Sequence, residues 1–205
     1  MEQLPSRRVF CIGAASLAVG ALCGVAARPH AAQADVLRPP GALAEADFAA
    51  RCVRCERCIG ACPEGVLYPL GVEAGALVVR TPSLDYASAA CTFCDKCREV
   101  CPTAAIGPID ALNPGAGRIG AAVVREERCL AYIQPGSCGV CRKACEYDAI
   151  SFDDERRVIV DLGKCNGCGA CVAVCPANVN TSFEGGSTRG IEVVTERRLA
   201  CEGRA

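Results

Sequence analysis

Four stretches of this chain crowd cysteines at short fixed intervals: CVRCERCIGACP, CTFCDKCREVCP, CLAYIQPGSCGVCRKACE and CNGCGACVAVCP. The first holds Cys52, Cys55, Cys58 and Cys62, and the second Cys91, Cys94, Cys97 and Cys101. The third holds Cys129, Cys138, Cys141 and Cys145, and the fourth Cys165, Cys168, Cys171 and Cys175. Three of the four follow C-x2-C-x2-C-x3-C-P without departure. Thiolates in that run are the ligand pattern of a [4Fe–4S] cluster. These sixteen cysteines are therefore the candidate iron ligands, and four clusters are the expected cofactors.

The spacing has a physical reason. Three cysteines at two-residue gaps lie on one tight loop, which can offer one thiolate to each of three irons. Backbone N–H groups of such a loop point inward at the sulfurs. Gly167 and Gly169 let the backbone come close without a Cβ clash. The fourth cysteine is expected to begin a short helix, and in two-cluster ferredoxins it ligates the other cluster. The proline after it removes an N–H left over at a helix start and presets φ.

Adjacent pairing of motifs gives four ligand sets. Cys52, Cys55 and Cys58 join Cys101, and Cys91, Cys94 and Cys97 join Cys62. Cys129, Cys138 and Cys141 join Cys175, and Cys165, Cys168 and Cys171 join Cys145. A nested arrangement, as in the four-cluster subunits of molybdenum reductases, pairs the outer motifs with each other and the inner two with each other. The third motif departs from the pattern, with a first gap of eight residues and Glu146 in place of the proline. One reading of it makes Cys129 a spare thiol beside a three-iron cluster or an empty site.

Other cysteine chemistries fit poorly. A four-cysteine zinc site has no use for a third close cysteine or a repeated Cys-Pro. Cysteines three apart on a tight loop are badly placed for disulfides. No histidine follows any pair, which excludes C-x-x-C-H haem attachment, and a Rieske centre needs two histidines. The single histidine, His30, lies near the N-terminus. No nucleophile–base pair or open metal position is evident, so the chain reads as an electron carrier or a non-catalytic subunit, not an enzyme.

The elements that must hold these motifs are short. The 29-residue step from Cys62 to Cys91 has room for an inserted hairpin, and the 20-residue step from Cys145 to Cys165 suits a compact unit. The expected fold class is α+β, with two tandem bacterial ferredoxin-like domains over residues 42–116 and 117–185. A tail over 186–205 contains Cys201, read as a free thiol. IDALNPGAGRIGAA between the domains reads as a linker, and TSFEGGSTRG as a flexible loop. ALVV, AAVV, AISF and VIVD read as edge strands, with IEVV as a last one. Pro135-Gly136 is expected to turn the chain back to Cys138.

Ahead of these domains, Arg7 and Arg8 precede an uncharged apolar run from Cys11 to Ala27, and Ala32-Gln33-Ala34 fits a small-x-small cleavage site. This resembles a twin-arginine export signal over residues 1–34. An ordinary secretory signal and an uncleaved membrane anchor are the alternatives, although the run is short for a span needing about 20 apolar residues. Twin-arginine export carries folded proteins, so a cluster inserted in the cytoplasm survives the crossing. Such a signal implies a periplasmic location, with membrane association if it stays attached. It contains three of the 22 basic and one of the 23 acidic residues, leaving the remainder net −3. With no basic stripe, no nucleic-acid partner is expected. Lys96, Lys143 and Lys164 all lie within or beside cysteine motifs, as partner contacts or as solvated surface charges.

The segment LRPPGALAEADFAARCVRCERCIGACP resembles the N-terminal part of NapG/MauM-type ferredoxins, and the arginine-pair signal suits that group. CLAYIQPGSCGVCRKACEYDAISF and CNGCGACVAVCP look equally like NapF-type ferredoxins, which are cytoplasmic. The NapG/MauM resemblance implies an electron relay from a membrane quinol-oxidising iron–sulfur protein to a periplasmic reductase, such as a nitrate or other molybdenum reductase, or to a cytochrome c. The NapF resemblance implies the alternative of an accessory protein that assists maturation of a molybdenum reductase.

Overall fold

The structure, a computed structural model, describes residues 36–109, 117–178 and 189–203. The expected export signal with Cys11 and Cys23, the middle of the linker and most of the TSFEGGSTRG loop lie outside the described residues. Asp35–Ala205 forms one compact unit, in which two copies of one plan can be traced. The first copy runs α1 (Glu45–Arg51), α2 (Arg57–Ala61), β1 (Leu67–Pro69), a 3-10 turn (Val72–Ala74), β2 (Pro82–Leu84) and α3 (Lys96–Glu99). The second runs β3 (Ala121–Val124), α4 (Leu130–Ile133), α5 (Val140–Lys143), β4 (Ile150–Phe152), β5 (Val158–Val160), α6 (Ala170–Ala173), a 3-10 turn (Pro176–Asn178), β6 (Ile191–Val194) and α7 (Glu196–Cys201).

Each copy places an antiparallel hairpin between its two cysteine motifs. Leu67 stands opposite Leu84 in β1–β2, and Ile150 opposite Val160 in β4–β5. A second antiparallel pairing closes each copy from its flanks. In the first it is an isolated bridge from Ala42 to Ile106; in the second β3 pairs with β6, with Ala121 opposite Val194. Two-stranded pieces are marginal alone in water. They persist here because their apolar sides meet in one core, which joins Phe48, Val66, Leu84 and Ile106 of the first copy to Ile119, Val124, Ile150 and Val193 of the second. Fully burying one such side chain contributes about 1.5–3 kcal/mol. Cysteines take the place of missing aromatics, since Cys58, Cys97 and Cys171 are themselves buried in that core. Among the described residues no helix is long and apolar enough to cross a membrane.

Three sequence expectations change. ALVV (76–79) is a turn at the tip of the β1–β2 excursion, not a strand. Val78 and Val79 both donate to the Gly75 carbonyl, and positive φ at Gly75 and Arg80 curls the chain between them, leaving Leu77 exposed. The fourth cysteine of each motif does not begin a helix. The short helix starts around the third cysteine, and the fourth lies just past its end. Proline after that end stops further helix, and only Pro176 opens a helical turn. Lastly, the C-terminal segment is not a plain tail. IEVV is strand β6, as expected, but TERRLACEG carries α7, N-capped by the Thr195 hydroxyl accepting from Arg198 N–H. Leu199 of α7 is buried against Ala121, Val123 and Val194, and Cys201 is exposed.

That helix is pinned by charge as well. Arg125 donates to Glu192 on β6 and, at 3.1 Å, to Glu202 just beyond α7. The Arg125 guanidinium holds the Glu202 carboxyl below the usual carboxylate range. A depressed carboxyl contributes stability that is present above its unfolded pKa and fades as pH falls through its folded one. Arg125→Ala should therefore cost about 1–3 kcal/mol, seen as lost hydrogen-exchange protection in α7 at pH 7. At pH 3 the variant and the parent should differ far less.

Candidate iron–sulfur sites

Three of the four motifs are shaped by two left-handed residues, one on either side of the second cysteine. Arg54 and Glu56 have φ of 57° and 60°, Phe93 and Asp95 of 54° and 63°, and Gly167 and Gly169 of 79° and 84°. This left–right alternation curls the loop so that three thiols face one point. Non-glycine residues in that region carry a cost of about 1–2 kcal/mol each, which the fourth motif avoids with its glycines. Substitution there would still clash: a Cβ on Gly167 would meet the Gly120 backbone at 2.7 Å, and one on Gly169 the Tyr86 ring at 2.0 Å. The glycines thus admit neighbouring protein as well as permitting the loop.

The third motif reaches the same end differently. Its long first gap folds as α4, and the turn at Pro135-Gly136 forms, with Gly136 at φ 78°. The Ser137 hydroxyl donates back to the Leu130 carbonyl at 3.0 Å. This excursion brings Cys129 to the cavity that Cys138 and Cys141 line.

The structure gathers the sixteen cysteines into four cavities of nearly equal empty volume. Cys52, Cys55, Cys58 and Cys101 line the first, of about 360 Å³. Cys62, Cys91, Cys94 and Cys97 line the second, also about 360 Å³. Cys129, Cys138, Cys141 and Cys175 line the third, of about 370 Å³, and Cys145, Cys165, Cys168 and Cys171 the fourth, of about 330 Å³. These are the groups that adjacent pairing of motifs assembles. Each cavity takes three cysteines from one motif and the last from the other motif of its module. The third cysteine of each motif lies in the first turn of a short helix and the fourth just past its end, so that α2, α3, α5 and α6 each serve two cavities. A larger opening of about 790 Å³, between β3 and β5, has no cysteine in its lining.

The chemistry of these cavities suits a polynuclear iron–sulfur group. Among the described residues no three His, Cys, Asp or Glu side chains draw together closely enough for one ion. The thiols instead ring a space large enough for several atoms, with apolar walls such as Phe48 and Ile106 around the first and Val124 and Ile191 around the third. Burial penalises free thiolates strongly. It pushes Cys58 and Cys91 up to about 12, and Cys97 and Cys141 up to about 11. Cys171, deeper still, is raised well above the ordinary thiol range. Backbone N–H groups oppose burial in part, from Ile59 to Cys58, Phe93 to Cys91 and Arg142 to Cys141. At Cys101 burial also raises the pKa, but donors from Ile106, Thr103 and Ala105 outweigh it and leave the thiol below its ordinary value. Ala122 N–H donates to the Cys165 sulfur at 3.3 Å. These donors stand ready for sulfur charge, and the remaining countercharge has to come from inside the cavity, as iron supplies it.

Lys96 and Lys164 pair with Glu99 and Asp161 of their own segments, at 3.2 and 4.0 Å. Two buried residues near the cavities escaped sequence reasoning. Tyr86 and Arg189 reach across between the modules, and neither stands in a motif or a periodic pattern.

Residues 51–105 and 133–179 match the family model described as a 4Fe-4S dicluster domain. The chain is 37% identical over 175 residues to the methylamine utilization ferredoxin-type protein MauM of Methylobacillus flagellatus, covering 77% of this chain and 72% of that protein. It is 35% identical over 176 residues to the ferredoxin-type protein NapG of Escherichia coli, covering 77% and 74%. The chain belongs to the MauM/NapG family. Like other MauM/NapG ferredoxin-type proteins it is an iron–sulfur electron-transfer protein with [4Fe–4S] clusters in tandem dicluster domains. It is also 36% identical over 149 residues to the ferredoxin-type protein NapF of Haemophilus influenzae, covering 71% and 77%, in keeping with the NapF-like look of its C-terminal motifs.

Proposed function

We propose that this MauM/NapG-family chain holds four [4Fe–4S] clusters, one per cavity, and relays electrons in the periplasm from a membrane quinol-oxidising iron–sulfur protein to a periplasmic reductase or cytochrome c. One observation carries the count: four cavities of nearly equal size, each lined by four thiols. Cys52, Cys55, Cys58 and Cys101 hold the first cluster, and Cys62, Cys91, Cys94 and Cys97 the second. Cys129, Cys138, Cys141 and Cys175 hold the third, and Cys145, Cys165, Cys168 and Cys171 the fourth. A [4Fe–4S] cluster, when bound, supplies a store for one electron at a potential set by its surroundings. The chain's part is to fix the thiols, aim N–H donors at sulfur and keep water out. The route and location rest on the relatives named NapG and MauM and on the arginine-pair signal at Arg7 and Arg8.

Similarity to NapF supports a second reading, an accessory protein that assists maturation of a molybdenum reductase in the cytoplasm. Two measurements separate the readings. Anaerobically purified protein should contain about sixteen iron and as many labile sulfides per chain. Zinc without sulfide would end the electron-relay reading. Fractionation should then find the protein in the periplasm, and Arg7→Lys with Arg8→Lys should hold it in the cytoplasm. Equal cytoplasmic accumulation of parent and variant would favour the accessory role.

A further inference from the structure

The two modules meet ligand to ligand along one seam. The backbone N–H of Cys91, in the second cavity, donates to the carbonyl of Cys168, in the fourth, across 2.8 Å. Tyr86, only 5% exposed, packs beside this bond against Gly169. Its hydroxyl donates to the Gly167 carbonyl at 2.7 Å, and Cys91, Cys168, Cys171 and Cys165 all lie within its electrostatic reach. Arg189, 8% exposed, stitches the same seam, since its guanidinium donates to the Ala87 carbonyl in the first module and to the Val172 carbonyl on α6. Every one of these contacts joins the surroundings of the second cavity to those of the fourth.

We infer that this seam is where electrons cross between the modules, so that the four sites connect in the order first, second, fourth, third. The inference rests on the four-cluster reading above. Electron tunnelling weakens steeply with distance and favours bonded paths over gaps. A bonded path runs here from the Cys168 sulfur through Cβ, Cα and the carbonyl, over the hydrogen bond, and on through N, Cα and Cβ of Cys91 to its sulfur. Within each module the two sites already share short helices, so the seam completes a single line. The spatial order therefore departs from chain order, and the first and third sites are the ends that face donor and acceptor. With clusters bound at the second and fourth sites, one electron would pass between them, oxidising one cluster and reducing the other, and no atom or proton would move. Tyr86 and Arg189 act as positioning residues, holding Cys91 against Cys168.

Magnetic coupling between reduced clusters tests the order. Cys55→Ala and Cys58→Ala with Cys138→Ala and Cys141→Ala should empty the first and third sites and leave about eight iron per chain. Reduced fully with dithionite, this variant should give a spin-coupled, broadened electron paramagnetic resonance spectrum. The complementary chain, with Cys94→Ala, Cys97→Ala, Cys168→Ala and Cys171→Ala, should give two uncoupled signals. About eight iron without coupling in the first variant overturns the order and leaves the four-cluster reading standing. Iron far below sixteen in the unaltered chain overturns that reading and the order with it. Should the emptied chains fail to fold, Tyr86→Phe in the otherwise unaltered holoprotein keeps the ring and removes the hydroxyl. It should shift the midpoint potentials of two clusters and leave the other two in place. A loss of thermal stability with all four potentials unmoved would overturn the role given to Tyr86.

Discussion

Cys101→Ala should lower the iron content by one cluster, from about sixteen to about twelve per chain, and the cluster lost should be that of the first motif. Cys101 lies in the second motif, yet it lines the cavity of Cys52, Cys55 and Cys58. Paired substitutions decide whose site it serves, because changes at one site do not add whereas changes at independent sites do. Cys52→Ala combined with Cys101→Ala should still leave about twelve iron, since both empty one cavity. Cys91→Ala combined with Cys101→Ala should leave about eight, since they empty two. Nested pairing of the motifs would put Cys101 with the third motif and Cys52 with the fourth, and the first pair would then also fall to about eight. The same scheme applied to Cys129 and Cys175 tests the third cavity, where the long first gap had left the role of Cys129 open.

How much of this could be read from the chain depends on the range of the interactions. The cysteine runs are local signals, and so are the hairpin between Cys62 and Cys91 and the Pro135-Gly136 turn. Strands AAVV, AISF, VIVD and IEVV were legible because each is a short apolar β-branched run next to turn residues. ALVV has the same composition and is not a strand, because Gly75 and Arg80 with positive φ fix it as the tip of an excursion. Sequence periodicity carries no trace of that backbone choice at an arginine. The helical register of the fourth cysteines was missed for a related reason. The Cys-Pro pair reads as a helix start, but the left-handed residue ahead of each third cysteine in three of the motifs starts the turn earlier. Which motifs share a cavity is a tertiary fact, and spacing alone left two arrangements standing. Tyr86 and Arg189 were invisible because their partners are backbone carbonyls far along the chain, and a carbonyl has no sequence signature.

The largest effect on stability should come from a single methyl group at Gly169. Its φ of 84° lies in the left-handed region, where alanine costs about 1–2 kcal/mol. The added Cβ would stand 2.0 Å from the Tyr86 ring, which cannot withdraw because its hydroxyl is tied to Gly167 and its body is buried. Forcing extra volume into such a packed place costs about 1–3 kcal/mol more. Gly169→Ala should thus destabilise the holoprotein by roughly 2–5 kcal/mol, read as a lower guanidinium midpoint for anaerobic cluster bleaching. Gly60 supplies the control. It sits inside α2, where an added Cβ would meet no atom within 4 Å, so Gly60→Ala should be neutral or gain up to about 1 kcal/mol from helix propensity. Adding Tyr86→Ala to Gly169→Ala removes the obstructing ring but not the left-handed backbone. If the double variant regains part of the midpoint lost by Gly169→Ala, the ring and the glycine are in contact across the seam. If Gly169→Ala behaves like Gly60→Ala, the modules do not touch there, and both the glycine's role and the crossing between the second and fourth sites lose their basis.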